Sequence, residues 1–237
     1  MTAIAKKNLD HWSRVPQTIE AHNNEGPITL VPQEQKYTLH SRIIADFSKY
    51  LSQVDWQDPL YCKLLTDKKE RVNYDYSETM KSYGYSHDNT EMQQKIMQED
   101  DDPAQNFFRR CAKATRLDKV EVMICMQPTG NMTPLHQDFF CAYRERWNLD
   151  ISDEDRYNRI KRFWMPLEDW KNGHFYQSNK TVFWNWKAGE MFAGPGDTPH
   201  LAATAGTEPR YFAQITGCLP ESGDYIGKNG YEELSIT

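Results

Sequence analysis

A chain of 237 residues with 38% hydrophobic and 26% charged side chains has the composition of an ordinary globular protein that can bury a full core. Its formal net charge of −6 disfavours a nucleic-acid partner, because phosphate binding depends on clustered Lys and Arg. No apolar run approaches the roughly 18 residues that a membrane span requires, and the N-terminal segment lacks the apolar core of a signal peptide. We therefore expect a cytoplasmic protein without a membrane partner.

The cysteines are scattered, odd in number and free of any C-x-x-C spacing: Cys62, Cys111, Cys125, Cys141 and Cys218. This usage indicates neither a disulfide framework nor a zinc knuckle. We expect reduced thiols.

Helical signals dominate the first part of the chain. Leu39, Ile43, Phe47 and Leu51 recur every four residues, which predicts one face of a helix. We predict that residues 1–118 form a helical N-terminal extension that packs on the rest of the chain.

Two further helix starts are predicted from capping patterns. Thr90 with Gln93 resembles a capping box that opens a short helix. Asp102 followed by Pro103 suits a cap and the first turn of a second helix that runs through Cys111.

After residue 118 the hydrophobic period shifts towards two. In KVEVMICMQ, alternate residues from Val120 to Met126 would share one face of a strand. Turn residues separate the other strand candidates, which are LHQDFF, RFWMPL, HFYQ, TVFWNW, GEMFAG, HLAAT and RYFAQITG. About eight short strands predict a sandwich or jelly roll, so we expect an α+β, mainly β fold whose core is residues 119–237.

One charged stretch, YRERWNLDISDEDRYNRIKR, interrupts the strands. Ser152 can cap a helix that runs to about Lys161. The YRERWN part is a candidate substrate lid, although a charge-rich helix also fits a solvated face.

A metal site is predicted from the histidines of the β region. On a strand, His136 and Asp138 of LHQDFF point to the same side, although such a pair also fits a plain surface strand. A histidine from a distant strand would complete a two-His-one-carboxylate triad, which leaves adjacent positions open on iron(II). His200 is the natural third ligand, and His174, which follows a turn, is left outside the triad.

Arg210 stands ten residues after His200, on the next predicted strand. An arginine there can hold a carboxylate with two hydrogen bonds while a metal takes the other end of a diacid. The alternative is an edge-strand charge paired with an acid.

Four segments carry a family resemblance: MQPTGNMTPLHQD, RFWMPL, WKAGE and PHLAATAGTEPR. Over residues 126–217 they resemble the 2-oxoglutarate oxygenase superfamily, and within it they are similar to the aspartyl/asparaginyl β-hydroxylase-like branch. Nothing before residue 118 takes part in the resemblance.

The resemblance implies a cupin-like double-stranded β-helix with iron(II) on His136, Asp138 and His200. It also implies that Arg210 binds the distal carboxylate of the cosubstrate 2-oxoglutarate and that Arg162 lies near this cosubstrate. The implied reaction consumes O₂, forms succinate and CO₂, and hydroxylates a small molecule, an amino acid or a peptide residue.

Several aromatic residues could line the pocket or belong to the core: Phe139, Phe140, Trp164, Trp184 and Trp186. Trp164 departs from the pattern of the branch, in which a small or polar residue is expected at that position.

Two alternatives stay open at this point. One is a non-catalytic metal- or ligand-binding jelly-roll module, which would not need Arg210 as an anchor for a diacid. The other is a nucleic-acid demethylase, which the acidic balance and the absence of a second arginine soon after Arg210 disfavour.

Overall fold

The computed structural model describes residues 38–56, 59–61, 80–98, 101–136, 138, 140–152, 155–179, 181–194 and 198–237. The strands are β1 (Thr38–Ile44), β2 (Pro59–Tyr61), β3 (Glu91–Ile96), β4 (Asp118–Gln127), β5 (Met132–His136), β6 (Ile160–Pro166), β7 (His174–Ser178), β8 (Thr181–Phe183), β9 (Glu190–Ala193), β10 (His200–Thr204), β11 (Arg210–Cys218) and β12 (Glu232–Ser235). The helices are α1 (Phe47–Leu51), α2 (Pro103–Lys113), α3 (Cys141–Arg146) and α4 (Arg156–Arg159).

The strands form two sheets. The larger has the order β12-β1-β9-β6-β11-β4-β3-β2, and the smaller has the order β5-β10-β7-β8. From β4 to β11 the chain passes back and forth between the sheets, with β7 and β8 as a hairpin within the smaller one. This arrangement is the predicted double-stranded β-helix.

Side chains of the larger sheet alternate between two cores, as the pleat of a strand requires. On β4, Val122 and Ile124 face outward into an apolar core, whereas Cys125 faces the inside of the barrel. On β6, Phe163 lies in the outer core and Trp164 in the inner one. The predicted period of two is thus confirmed, and it determines which residues can reach a site inside the barrel.

Helix α2 covers the outer face of the larger sheet. Asp102 caps this helix by accepting a hydrogen bond from the Gln105 amide, and Pro103 occupies its first turn, as predicted. Phe107 and Phe108 are fully buried in the outer core. Each such side chain contributes about 1.5–3 kcal/mol through burial.

The predicted helix over Leu39 to Leu51 is wrong. Strand β1 comes first, and α1 follows after Asp46, whose carboxylate accepts a hydrogen bond from the Lys49 amide. Ile43, Phe47 and Leu51 do reach the core, but from two different elements, while Leu39 is 40% exposed. Pairing of β1 with β9 outweighs the four-residue period, which only coincides with a helical repeat.

The predicted helix after Thr90 is also wrong, because Glu91–Ile96 pairs with β4 as strand β3. The Thr90 hydroxyl donates back to the Ser86 carbonyl oxygen, and the capping box lies one turn earlier, around the 3₁₀ helix His87–Asn89. Pairing with a neighbouring strand again outweighs the local helical signal.

The described part of residues 1–118 thus supplies three strands of the larger sheet as well as helices, so the helical character predicted for this segment is corrected. The boundary at residue 118 stays a prediction.

The helix predicted from Ser152 to Lys161 shortens to α4. The Ser152 hydroxyl accepts a hydrogen bond from the Asp155 amide, but the chain enters β6 at Ile160. The sequence reasoning missed α3, which begins after Phe140, a residue in the left-handed conformation with φ +56°.

Among the described residues no helix is long and apolar enough to cross a membrane.

Gly189 links the β-helix to β1. It has φ +80°, and an added Cβ would clash with the carbonyl group of Ile43. Its carbonyl oxygen accepts a hydrogen bond from the Ile43 amide, so the close approach of the two backbones requires glycine here.

Candidate metal and anion site

Two strands of the smaller sheet bring the predicted histidines together. His136 is the last residue of β5, His200 is the first residue of β10, and the two are paired across the sheet. Their ring centroids lie 4.2 Å apart. In the sequence, 63 residues separate the two histidines.

Asp138 completes the group. One potential ligand atom from each of His136, Asp138 and His200 lies within 4.8 Å of the other two. His200 Nε2 and Asp138 Oδ2 are 3.8 Å apart. Because β5 ends at His136, the expectation that Asp138 lies on the same strand is wrong; its carboxylate reaches the group from beyond the strand end.

Backbone carbonyl groups orient both imidazoles. His136 Nδ1 lies 2.8 Å from the Pro134 oxygen, and His200 Nδ1 lies 3.0 Å from the Thr198 oxygen. Both contacts favour the Nδ1–H tautomer, which leaves the lone pair of Nε2 for a metal. Burial, together with the nearby His200, lowers the pKa of His136 to about 4, so this imidazole is neutral at neutral pH.

Arg162 holds the Asp138 carboxylate. Its Nη1 lies 2.9 Å from Asp138 Oδ2, its Nε donates to the Thr216 hydroxyl at 2.8 Å, and its guanidinium lies over the Phe140 ring. Burial acts to raise the pKa of Asp138, but Arg162 and then the imidazoles outweigh it and hold the pKa well below its usual range. Arg162 is therefore engaged with a candidate metal ligand, and its predicted contact with a cosubstrate stays a prediction.

Arg210 is a buried charge with few hydrogen-bond partners among the described residues. It is 2% exposed, and its Nη2 donates to Gln127 Oε1 at 2.8 Å. Its Nε and Nη1 are buried without a hydrogen-bond partner. No carboxylate of a described residue lies within 4.0 Å of the guanidinium, and none contributes to its pKa, which burial lowers to about 10.

A buried guanidinium in this state points to an anionic ligand. A buried charge costs several kcal/mol unless it is paired, and unpaired donors add to that cost. The ring of Phe212, 4.8 Å from the guanidinium carbon, offsets only part of this cost. A carboxylate that binds from outside the chain would supply the missing charge and hydrogen bonds.

Gln127 fixes the orientation of Arg210. The two residues are paired between β4 and β11, and Gln127 is fully buried. Its Oε1 also accepts from the Thr204 hydroxyl at 3.0 Å, and its Nε2 donates to the Thr133 hydroxyl at 3.1 Å. Sequence reasoning missed Gln127, although its place at the end of an alternating strand put it on the inner face.

Stacked aromatic rings fill the neighbouring interior. Trp164 lies against Tyr176 with ring centroids 4.5 Å apart and an interplanar angle of 6°, and it meets Trp186 edge to face. Tyr176 lies 6.0 Å from the His200 ring, so the stack borders the metal group. The interior accommodates Trp164 as a core residue, and Tyr176 is a site residue that sequence reasoning missed.

The other candidate aromatics have different places. Phe140 is buried beneath Arg162, Trp186 is buried, and Trp184 is 69% exposed. Phe139 lies outside the described residues. His174 stands apart from the metal group, as predicted, and its Nε2 contacts the Glu208 carbonyl oxygen at 3.1 Å.

The YRERWN segment, a candidate lid, is tied to β4. The Tyr143 hydroxyl donates to the Lys119 carbonyl oxygen, and the Trp147 indole donates to Glu121. These bonds and the burial of Tyr143 anchor the segment to the core, and its role as a lid stays a prediction. All four cysteines within the described ranges are free thiols, as predicted.

The chain has remote similarity to some solved structures. No protein-family model matches the chain, and no curated protein matches it. Solved structures that it resembles include a Cupin 2 conserved barrel domain protein from Salinispora arenicola, with 10% identity over 53% of this chain and 75% of that one and a TM-score of 0.31. KdgF from Halomonas has 11% identity over 55% and 82% of the two chains and a TM-score of 0.31.

A predicted oxalate decarboxylase from Thermotoga maritima has 13% identity and a TM-score of 0.32. The match covers 54% of this chain and 82% of the decarboxylase chain. Such values are too low to transfer an activity. The fold assignment rests on the strand order, and a function has to be argued from the site.

Proposed function

We propose that this protein is an iron(II)- and 2-oxoglutarate-dependent oxygenase that hydroxylates a small molecule, an amino acid or a peptide residue. One observation carries the proposal. Arg210 is a buried guanidinium with two unpartnered nitrogens, inside the same barrel as a two-His-one-carboxylate group. A dicarboxylate that chelates a metal through one end and pairs with an arginine through the other fits this combination.

The donor set suits ferrous iron. Two imidazoles and one carboxylate are typical of iron(II) oxygenases, and thiolates, which favour structural zinc, are absent from the group. The carboxylate at Asp138 also favours hydroxylation, since halide chemistry would need that coordination position vacated. Iron(II) with 2-oxoglutarate and O₂ would supply oxidative decarboxylation to succinate and CO₂, coupled to hydroxylation of a C–H bond.

The residues of the chain have distinct tasks in this proposal. His136 and His200 present Nε2 lone pairs because backbone carbonyl groups hold their Nδ1–H groups. Arg162 fixes the Asp138 carboxylate in its ionised form. Arg210 binds and orients the distal carboxylate of the cosubstrate, which removes the cost of its own unpaired charge.

The aromatic stack has a further task. Trp164 and Tyr176 exclude water from the interior next to His200. A dry pocket strengthens every charge interaction inside it and protects the oxidation from side reactions.

A non-catalytic metal module is the main rival, because the metal group alone would fit it equally well. Such a module has no use for a buried arginine to which no described residue supplies a counter-ion, and retaining one would only destabilise it. Arg210 therefore favours the oxygenase.

Anaerobic spectroscopy tests the proposal. Addition of iron(II) and then 2-oxoglutarate should produce the weak visible band of a keto acid chelated to iron(II), and admission of air should convert 2-oxoglutarate to succinate. Asp138→Ala should weaken the band through poorer iron retention. Absence of the band in the wild-type protein, or its persistence in a His136→Ala/His200→Ala double variant, would contradict the proposal. A screen of amino acids for stimulated succinate formation then addresses the substrate.

A further inference from the structure

Gln127 joins the two halves of the site. It lies on β4 opposite Arg210 of β11, and its side chain also bonds Thr133 of β5 and Thr204 of β10. Those last two strands carry His136 and His200. One amide thus links the anion-binding arginine to both strands that hold the histidines.

The side-chain amide of Gln127 is hydrogen-bonded through both its oxygen and its nitrogen. Oε1 accepts from Arg210 and Thr204, and Nε2 donates to Thr133. A carboxylate of the same shape would also fit, because it could accept the same two bonds and the Thr133 hydroxyl could turn to donate. The packing alone therefore does not require an amide at this position.

Charge is what distinguishes the two side chains here. A glutamate at position 127 would pair with Arg210 and would relieve the cost of burying the guanidinium. It would also neutralise the charge that attracts a ligand carboxylate and would repel that carboxylate. A neutral glutamine fixes one nitrogen of Arg210 and leaves its charge uncompensated.

We infer that Gln127 is a positioning residue that offers Arg210 a neutral acceptor where a carboxylate would pair with it, and that aims its Nε and Nη1 at the carboxylate of the cosubstrate. This inference rests on the proposed function, because it takes 2-oxoglutarate as the anion. The chain gives up stability at this position so that ligand binding can supply the missing charge.

The test compares Gln127→Glu with the wild-type protein by two readouts. The first is the melting temperature of the metal-free protein, and the second is calorimetric titration of the manganese-loaded protein with 2-oxoglutarate. We expect Gln127→Glu to melt higher and to bind 2-oxoglutarate on the order of 100-fold more weakly, with manganese affinity near that of the wild type. A merely structural glutamine would not move the two readouts in opposite directions.

Two further variants complete the design. Gln105→Glu makes the same change at a buried glutamine of α2, on the outer side of the larger sheet, and should leave 2-oxoglutarate affinity unchanged. Gln127→Met removes the acceptor for Nη2, so it should both lower the melting temperature and weaken 2-oxoglutarate binding, by about tenfold. It also keeps the inference testable if Gln127→Glu does not fold.

The outcomes separate this inference from the proposed function. Wild-type affinity for 2-oxoglutarate in Gln127→Glu, or in Gln127→Met, would overturn the inference and leave the oxygenase proposal standing. A wild-type protein that does not bind 2-oxoglutarate would instead overturn the proposed cosubstrate. The melting temperatures would then still decide: a Gln127→Glu protein that melts no higher than the wild type would overturn the inference, and one that melts higher would support an uncompensated Arg210.

Discussion

Two arginines of neighbouring strands, Arg162 on β6 and Arg210 on β11, stand in contrasting surroundings inside the same barrel. The region of Arg162 contains its own counter-ion, Asp138, and a hydroxyl acceptor, Thr216. In the region of Arg210, the described residues offer one neutral acceptor, Gln127, and no carboxylate.

The two arginines differ in whether a described residue supplies their counter-ion. Arg162 is compensated by the chain, so its natural role is to hold a candidate metal ligand in place. No described residue supplies a counter-ion to Arg210. The cost of several kcal/mol for such burial is hard to explain without a ligand. The surroundings of the two arginines thus fit the roles that we propose, which are positioning for Arg162 and ligand binding for Arg210.

Removal of Arg162 tests whether this side chain positions the candidate metal ligand Asp138. Arg162→Met should weaken iron(II) or manganese binding by about 10- to 100-fold, the usual effect of losing a partner that orients a metal ligand. Anaerobic metal titration measures it. The matched control is Arg146→Met, which removes an ion pair to Glu121 on a more exposed side chain and should leave metal affinity unchanged. Equal metal affinities in both variants would show that Arg162 does not position Asp138.

A smaller effect concerns the charge of the Arg210 region. Burial lowers the pKa of His174 below its ordinary value of 6.5, and the charges of Arg210 and Lys171 add to this shift, whereas the hydrogen bond to the Glu208 carbonyl oxygen opposes it. The folded protein therefore binds a proton there less readily than the unfolded chain does. The unfolded chain binds a proton there first. Stability is therefore complete above pH 6.5 and falls as the pH drops towards the folded-state pKa, by at most about 1.4 kcal/mol per pH unit.

Denaturant unfolding at several pH values checks this prediction. His174→Gln should flatten the fall of unfolding free energy below pH 6.5 relative to the wild type. An unchanged slope would mean that folding does not lower the pKa of His174, which would contradict this prediction.

Local patterns were enough to predict most of the β-helix. Alternation in KVEVMICMQ and the turn residues between the later strands depend on near neighbours in the chain, and most of these strands formed where they were expected. The exception is LHQDFF, whose strand ends at His136. The same holds for the Asp102–Pro103 helix start. The four-residue period over Leu39 to Leu51 misled because pairing with the distant strand β9 is invisible in a local pattern.

The candidate site likewise contains residues that local patterns could predict and residues that they could not. His136, Asp138, His200 and Arg210 could be chosen by residue type and spacing. Gln127 and Tyr176 could not, because their roles depend on the register of β4 against β11 and on the stacking of β7 against β6 across the barrel. The pairing of Arg162 with Asp138 likewise depends on how the chain turns after β5 ends.

The most direct test of the central claim is calorimetric titration of the manganese-loaded protein with 2-oxoglutarate, for the wild type and Arg210→Met. The account predicts near-normal manganese affinity and the loss of a charge-assisted contact of ~2–4 kcal/mol, which weakens 2-oxoglutarate binding by roughly 30- to 1,000-fold. Arg210→Lys should recover only part of the loss, because an ammonium lacks the two-pronged geometry. If Arg210→Met binds 2-oxoglutarate as tightly as the wild type, Arg210 is not the anchor and the non-catalytic metal module becomes the better account.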